Sequence, residues 1–409
     1  MAEPRKVDWL QWLAFSWGAC AFFPVGVAYA HLLLVLLLLA AAPDLRARAQ
    51  RLGDIYPFWP VAAVLAWTLV AVAAGPWLED TPTRLFHIVR VMVVLMVGME
   101  LSRAEARMGI AGFLVGAVCA ALVVAIHHVW GLPEWSIWGS LLRSRNNLSS
   151  GNMIMMATAA GLFFYLGLRD DPAWLDRWTA WGAALALSMT VIAHALSRNA
   201  QALLPALGLV AVVVHFRAWR ACAAGLAVTA VLAVAAWHLS PATRGRFDAV
   251  VTEAARVVSD GNYTTGVGER WRMASEAWQG MQNHPLLGTG VGSWLPRWRE
   301  VAHETGGNLG PEALLRHIEI NNPHNEYLLA GMEMGVPGLL ILVWLLAALV
   351  STGWRARSTA GGATVVLGAS VALSALINAP LRDAALGMTL LWLLAVSMAI
   401  HEERPGMKP

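Results

Sequence analysis

Near its C-terminal end the chain reads INNPHNEYLLAGMEMGVPGLL, Ile320 to Leu340. This sets His324 between a proline and an asparagine at the mouth of an apolar run. Imidazole exchanges its proton near neutral pH and can take one from a hydroxyl group. Asn322-Pro323 reads as a helix cap followed by proline at the first helical position, with His324 and Asn325 in the first turn. The positive end of a helix dipole disfavours imidazolium, which predicts a neutral His324 able to act as a base. A histidine resting at a membrane surface fits the same local pattern. A second group of residues is cationic. In VIAHALSRNA, His194 and Arg198 stand four apart and share one face at the end of a predicted helix. A guanidinium fork there suits two phosphate oxygens, with headgroup contact as the plainer reading. TTGVGERWRMASEAW puts Arg270 at the start of another predicted helix, an anion-binding arrangement unless Glu269 and Arg272 simply pair nearby. Arg143 and Arg145 in LLRSRNNLSSGN, and Arg382 in NAPLRD, are secondary candidates for an anionic lipid or glycan.

The elements that must position these groups are membrane helices. Of 409 residues, 58% are hydrophobic and 13% charged, whereas soluble domains carry about 25% charged residues. With 21 Trp available for aromatic belts and apolar runs near a bilayer's length, the chain reads as an all-α polytopic membrane protein. About twelve spans are expected, centred on 8–24, 27–42, 58–77, 85–102, 109–129, 150–168, 178–197, 201–216, 219–239, 324–350, 360–378 and 384–400. The first two, split by Pro24-Val25-Gly26, also fit one bent hairpin. MAEPRKVDWL has two basic residues but no small-residue cleavage site, so a retained first span is expected. Basic residues such as Arg46, Arg48, Arg51, Arg103, Arg107, Arg355 and Arg357 alternate onto one side, which predicts cytoplasmic termini. Arg84, Arg143, Arg145, Arg198 and Arg382 fall on the opposite side, where orientation does not require them.

The organisation follows: spans one to nine over 1–239, an external loop domain over 240–323, and spans ten to twelve over 324–409. The loop predicts two amphipathic helices, packed on the membrane surface or over the bundle. One opens at Ser240-Pro241 with Phe247, Val250, Val251, Ala254 and Val258 on one face. The other aligns Trp271, Ala274, Trp278 and Met281. Within span ten, Gly331, Gly335 and Gly338 with Pro337 predict close helix packing and an interrupted helix. Arg90 and His87 face a short way into span four; an intramembrane charge usually faces a cavity, but Arg90 is near enough the surface to snorkel. Cys20, Cys119 and Cys222 are expected to be packed within apolar runs, without redox or zinc chemistry.

HPLLGTGVG, His284 to Gly292, is a glycine-rich turn that lacks the lysine and spacing of a phosphate-binding loop, so no nucleotide is expected there. HExxH and EF-loop patterns are missing from the sequence, and the first external loop has no carboxylate to hold a divalent ion, so a metal is not expected. A twelve-span secondary transporter would show two related halves, and these halves look unlike.

His324-Asn325, nine residues, then Gly335-Val336-Pro337-Gly338 resembles the HN-x9-Gxx[GTY] pattern of the O-antigen ligase family. That family sits within the superfamily of O-antigen polymerases and related ligases. The long external loop before the motif, HPLLGTGVGSW and SRNAQAL also resemble this superfamily. The resemblance implies a periplasmic active site in the inner membrane of a Gram-negative bacterium. A glycan would pass from undecaprenyl diphosphate to a sugar hydroxyl of lipid A-core, with inversion. The reaction would need no cofactor, metal, nucleotide or nucleic acid. By position, His324 would be the base, and Arg198 and Arg270 would hold the diphosphate. Asn325, His194, Arg143, Arg145 and Arg382 would be secondary. An O-antigen polymerase or a protein O-oligosaccharyltransferase, using the same donor, is the alternative within the superfamily.

Overall fold

A computed structural model of the chain describes residues 8–132, 139–142, 147–194, 197–239, 241–261, 263, 265–305 and 311–401. Its helices begin with α1 (Trp9–Ala19), α2 (Val25–Ala40), α3 (Leu45–Asp54), α4 (Phe58–Ala74), α5 (Thr81–Glu100) and α6 (Arg103–Trp130). Then come α7 (Gly139–Leu142), α8 (Asn147–Arg169), α9 (Arg177–His194), α10 (Arg198–Phe216), α11 (Trp219–Leu239) and α12 (Pro241–Asp260). The last six are α13 (Gly266–Asn283), α14 (Trp294–Thr305), α15 (Pro311–Ile318), α16 (Glu326–Ala356), α17 (Thr359–Ile377) and α18 (Ala384–His401).

Every expected span falls on a helix, and the architecture is that of an all-α polytopic membrane protein. Among the described residues, six segments are long and apolar enough to cross a bilayer: α5, α6, Ser150–Arg169, α10, α16 and α17. Val25–Ala40, Phe58–Ala74 and Ala384–Ile400 are apolar but shorter. The first pair is two helices, because α1 stops at Ala19 and Pro24 caps α2. Leu33, Leu34 and Leu37 of α2 and Leu122 of α6 are exposed, as side chains facing lipid would be. Exposed Trp9, Trp77, Trp130, Trp178 and Trp219 stand near helix ends, the position of an aromatic belt. At the centre of the bundle, α18 buries Leu386, Met388 and Leu390 to Val396, and Trp392 stacks on Trp17 at 4.9 Å. Cys119 is exposed, contrary to expectation, because its side of α6 faces outward.

A second small core joins the 240–323 segment to the start of α16. Met273 and Ala277 of α13 and Trp294, Trp298, Val301 and Ala302 of α14 pack on Leu329 and Met332 of α16 and on Ala379. The expected face of α13 is corrected by this packing. Its buried residues are Gly268, Met273, Glu276, Ala277 and Met281, while Trp271 and Trp278 are exposed. The helix starts earlier than expected and presents a rotated stripe. Ser240 lies outside the described residues, and Val250, Val251 and Val258 of α12 are exposed rather than packed on the bundle.

Helix α16 breaks at Gly335, whose φ of 71° and ψ of −175° are not helical. The glycine-rich turn docks at this break. Val336 N–H donates to the Pro285 carbonyl at 2.8 Å, and Thr289 N–H donates to that of Met332 at 2.7 Å. A Cβ on Gly335 would lie 2.5 Å from the Leu286 carbonyl oxygen. Both the left-handed backbone and the close approach require glycine here. Gly331 also serves close packing, since a Cβ there would lie 2.5 Å from the Met281 sulfur of α13.

Candidate active site

The segment carrying His324 is fixed from both sides. Upstream, two indole N–H groups pin its backbone: Trp298 Nε1 donates to His317 O at 2.8 Å and Trp294 Nε1 donates to Ile320 O at 3.0 Å. Downstream, Asn325 caps α16 by accepting the Leu328 N–H at 2.9 Å, and its Nδ2 donates to Leu376 O at 3.1 Å. Glu326 N–H donates to Asn378 O at 3.1 Å, which ties the start of α16 to the end of α17. The cap is therefore Asn325, not Asn322, and His324 precedes the helix instead of lying in its first turn. His324 has φ of 51°, in the left-handed region. Asn322 Oδ1 accepts the His324 N–H at 2.9 Å and stabilises this local turn.

His324 is held below the ordinary histidine range, as expected, but for a different reason. Burial is the main cause and the charge of Arg270 the second, while an Asn378 side-chain hydrogen bond and the Glu269 carboxylate oppose them. The helix dipole is not needed.

Around His324 lies a polar cavity of about 380 Å³, lined by Ser150, Asn199, Arg270, Asn321, Asn322, His324, Asn378, Arg382 and Asp383. Its wall comes from the starts of α8 and α10, from α13, and from the α15–α16 and α17–α18 loops. Thr265 caps α13 by accepting the Gly268 N–H at 3.1 Å, so Arg270 lies in the second helical turn, later than expected. Glu269 and Arg272 do not pair. Glu269 binds His317, and Arg272 binds Glu276 at 3.0 Å.

Arg382 is more deeply placed than a peripheral lipid contact would be. It is 7% exposed, and its Nη2 bonds to the Asp80 carboxylate. Its Nε and Nη1 are buried with no hydrogen-bond acceptor among the described residues. Such donors are costly to bury unpaired and are suited to an anion reaching the cavity. Burial pushes the Asp383 carboxyl above its usual range, while the N–H of Leu386 donates to it at 3.0 Å. Arg198 opens α10 and is exposed. It does not line the cavity, whereas its neighbour Asn199 does. The shared helical face expected for His194 and Arg198 is absent, since α9 ends at His194 and α10 begins at Arg198. The side chain of His194, together with Arg143 and Arg145, lies outside the described residues.

Beneath the cavity, Arg84 donates from Nε to Glu333 at 2.6 Å and from Nη2 to Glu326 at 2.8 Å, with all three side chains at most 1% exposed. Glu326 accepts the Leu381 N–H at 2.9 Å, and Glu333 accepts the Gly292 N–H at 3.1 Å. One buried network thus joins α5, α16, the glycine-rich turn and the loop bearing Arg382. Arg84 is accordingly structural and is not available to solvent. Arg90 is buried too, contrary to the snorkelling expectation. It donates to Tyr29 Oη at 2.8 Å and to Leu381 O at 3.2 Å and meets His87 Nδ1 at 2.7 Å. Asn378, Asp383 and Ser150 were not singled out from the sequence. Only the polar composition of NAPLRD between two apolar runs could have marked the first two.

The arrangement places a neutral imidazole, two arginines and several amides around a volume open to a polar ligand. Residues 183–343 match the family model described as O-antigen ligase. Among curated proteins, none matches the sequence.

Proposed function

We propose that the protein is an O-antigen ligase. It moves a glycan from undecaprenyl diphosphate to a sugar hydroxyl of lipid A-core, on the periplasmic face of the inner membrane. Both termini then lie in the cytoplasm. The observation that carries this reading is the cavity itself, in which His324 shares a wall with Arg270 and Arg382. His324 takes the proton of the acceptor hydroxyl as its oxygen attacks the anomeric carbon. The bond from that carbon to the diphosphate oxygen breaks, and its electron pair leaves with the diphosphate. Attack opposite the leaving group inverts the anomeric centre. Arg270 and Arg382 hold the departing charge, as preorganised cations do for phosphate leaving groups. Arg198, at the exposed start of α10, meets the donor as it enters. Asn199, Asn321, Asn322 and Asn378 offer amides to sugar hydroxyls.

The deciding experiment gives the purified protein an undecaprenyl-diphosphate glycan together with either lipid A-core or a second lipid-linked glycan. Extension of lipid A-core supports the ligase, whereas extension of the second glycan identifies a polymerase. Transfer is expected to persist in EDTA. Loss on chelation, restored by magnesium, overturns the metal-independent mechanism.

A further inference from the structure

The His324 segment and the Arg270 helix are joined by one side-chain contact that the proposed mechanism does not yet use. His317, near the end of α15, brings Nδ1 to 2.6 Å from Glu269 Oε1 on α13. His317 is 7% exposed, and its ring meets Trp298 edge-on at 5.3 Å and 67°. It is therefore locked in the loop-domain core, and Glu269 is locked to it. Glu269 directly precedes Arg270, which lines the cavity together with His324.

We infer that Glu269, anchored by His317, is a positioning residue: it fixes the Arg270 helix against the His324 segment and supplies the carboxylate that stabilises His324 after it takes the acceptor proton. This deepens the proposed reading and rests on His324 being the base. The reason is electrostatic. A diphosphate site needs cations, and cations beside a base oppose its protonation. Arg270 acts on His324 in this sense, and Arg382 lines the same wall. Asp383 shares the cavity, and burial raises its carboxyl above the usual range. Asn378 hydrogen-bonds His324 without bringing a charge, whereas Glu269 opposes the effect of Arg270. His317 faces Glu269 from α15 and keeps its carboxylate in place. When the acceptor O–H bond breaks, the proton stays on an imidazole ring nitrogen, and Glu269 offsets the new positive charge.

The test uses the full-length protein in detergent. Diethyl pyrocarbonate modifies neutral but not protonated imidazole. Carbethoxylation of His324, resolved by peptide mass spectrometry across pH, therefore reads its protonation without needing activity. Glu269→Gln keeps the side-chain shape and an acceptor for His317 but removes the charge. The midpoint is expected to move to lower pH, with kcat for glycan transfer falling about tenfold and donor KM staying within about twofold. A wild-type midpoint and rate in folded Glu269→Gln overturn the inference. Glu269→Asp keeps the charge and covers the case in which Glu269→Gln does not fold. Its midpoint should remain near that of the wild type, and a shift to lower pH of a full unit also overturns the inference. His324→Ala separates the two readings. Retained transfer in that variant removes the base, whereas lost transfer with an unmoved Glu269→Gln midpoint removes only the role of Glu269.

Discussion

At the scale of residues, His324 combines a left-handed backbone, a half-buried ring and a neighbouring guanidinium. Each feature favours the neutral form or a fixed direction for the ring, which suits a base. His324→Ala is expected to abolish transfer to lipid A-core, measured with purified substrates. Wild-type turnover would remove the base assignment. The pH dependence has a definite sign. Because His324 sits below its ordinary value of 6.5, the acid limb of kcat/KM is expected below that pH. The linked stability effect runs the same way. Its contribution is intact above 6.5 and is lost as pH falls towards the folded-state value, because the unfolded chain binds the proton first. For the cations, Arg270→Lys and Arg382→Lys replace forks by point charges and should raise donor KM roughly tenfold. An unchanged KM in both variants would take the diphosphate away from this wall.

At the scale of elements, the broken α16 helix matters most. Gly335 lets the glycine-rich turn donate to and accept from the helix at its break, and the turn then supplies Gly292 N–H to Glu333. Gly335→Ala meets a left-handed φ of 71° and a backbone oxygen 2.5 Å from its new Cβ. A loss of about 2 kcal/mol or more is expected. Thermal melting in detergent checks this, and an unchanged midpoint would show that the turn is not held as described. The same element explains the HN-x9-G spacing. Nine residues separate the cap at Asn325 from the break at Gly335, and this length carries Glu326 and Glu333, both bound to Arg84.

At the scale of the whole molecule, the buried network couples parts that are distant in sequence. Arg84 lies 242 residues before Glu326 and 249 before Glu333. Removing one partner of such a group leaves an uncompensated buried charge, so Glu333→Ala is expected to cost about 3–5 kcal/mol. Thermal melting of the purified protein reads this directly. Glu333→Gln, which retains an acceptor, should lose less, and equal losses would show that shape rather than charge dominates. The network underlies the cavity because Glu326 also fixes Leu381 beside Arg382, while Asp80 bonds Arg382 itself.

Much of this was legible in the chain. Hydropathy marks the helices because a bilayer demands long apolar segments whose backbone groups bond internally. The HN-x9-G motif picks out His324 because cap, proposed base and break are local in sequence. Arg270 is marked by the glycines before it, although it lies in the second turn of α13 and not at its start. Which arginines serve the cavity is not local information. Arg84 and Arg382 look alike as outward arginines, yet Arg84 is clasped by two carboxylates away from the cavity, whereas Arg382 is held by Asp80 alone and lines it. Arg198 and Asn199 are neighbours, but the direction of α10 puts only the second on the cavity wall. The pairing of Glu269 with His317 instead of Arg272 likewise depends on how α15 packs across α13. The sequence by itself determined the membrane helices and marked the histidine proposed as the base, since each depends on runs of nearby residues. The charge environment of that histidine was decided only by tertiary packing, because a buried charge's partners are set by distances across the bundle.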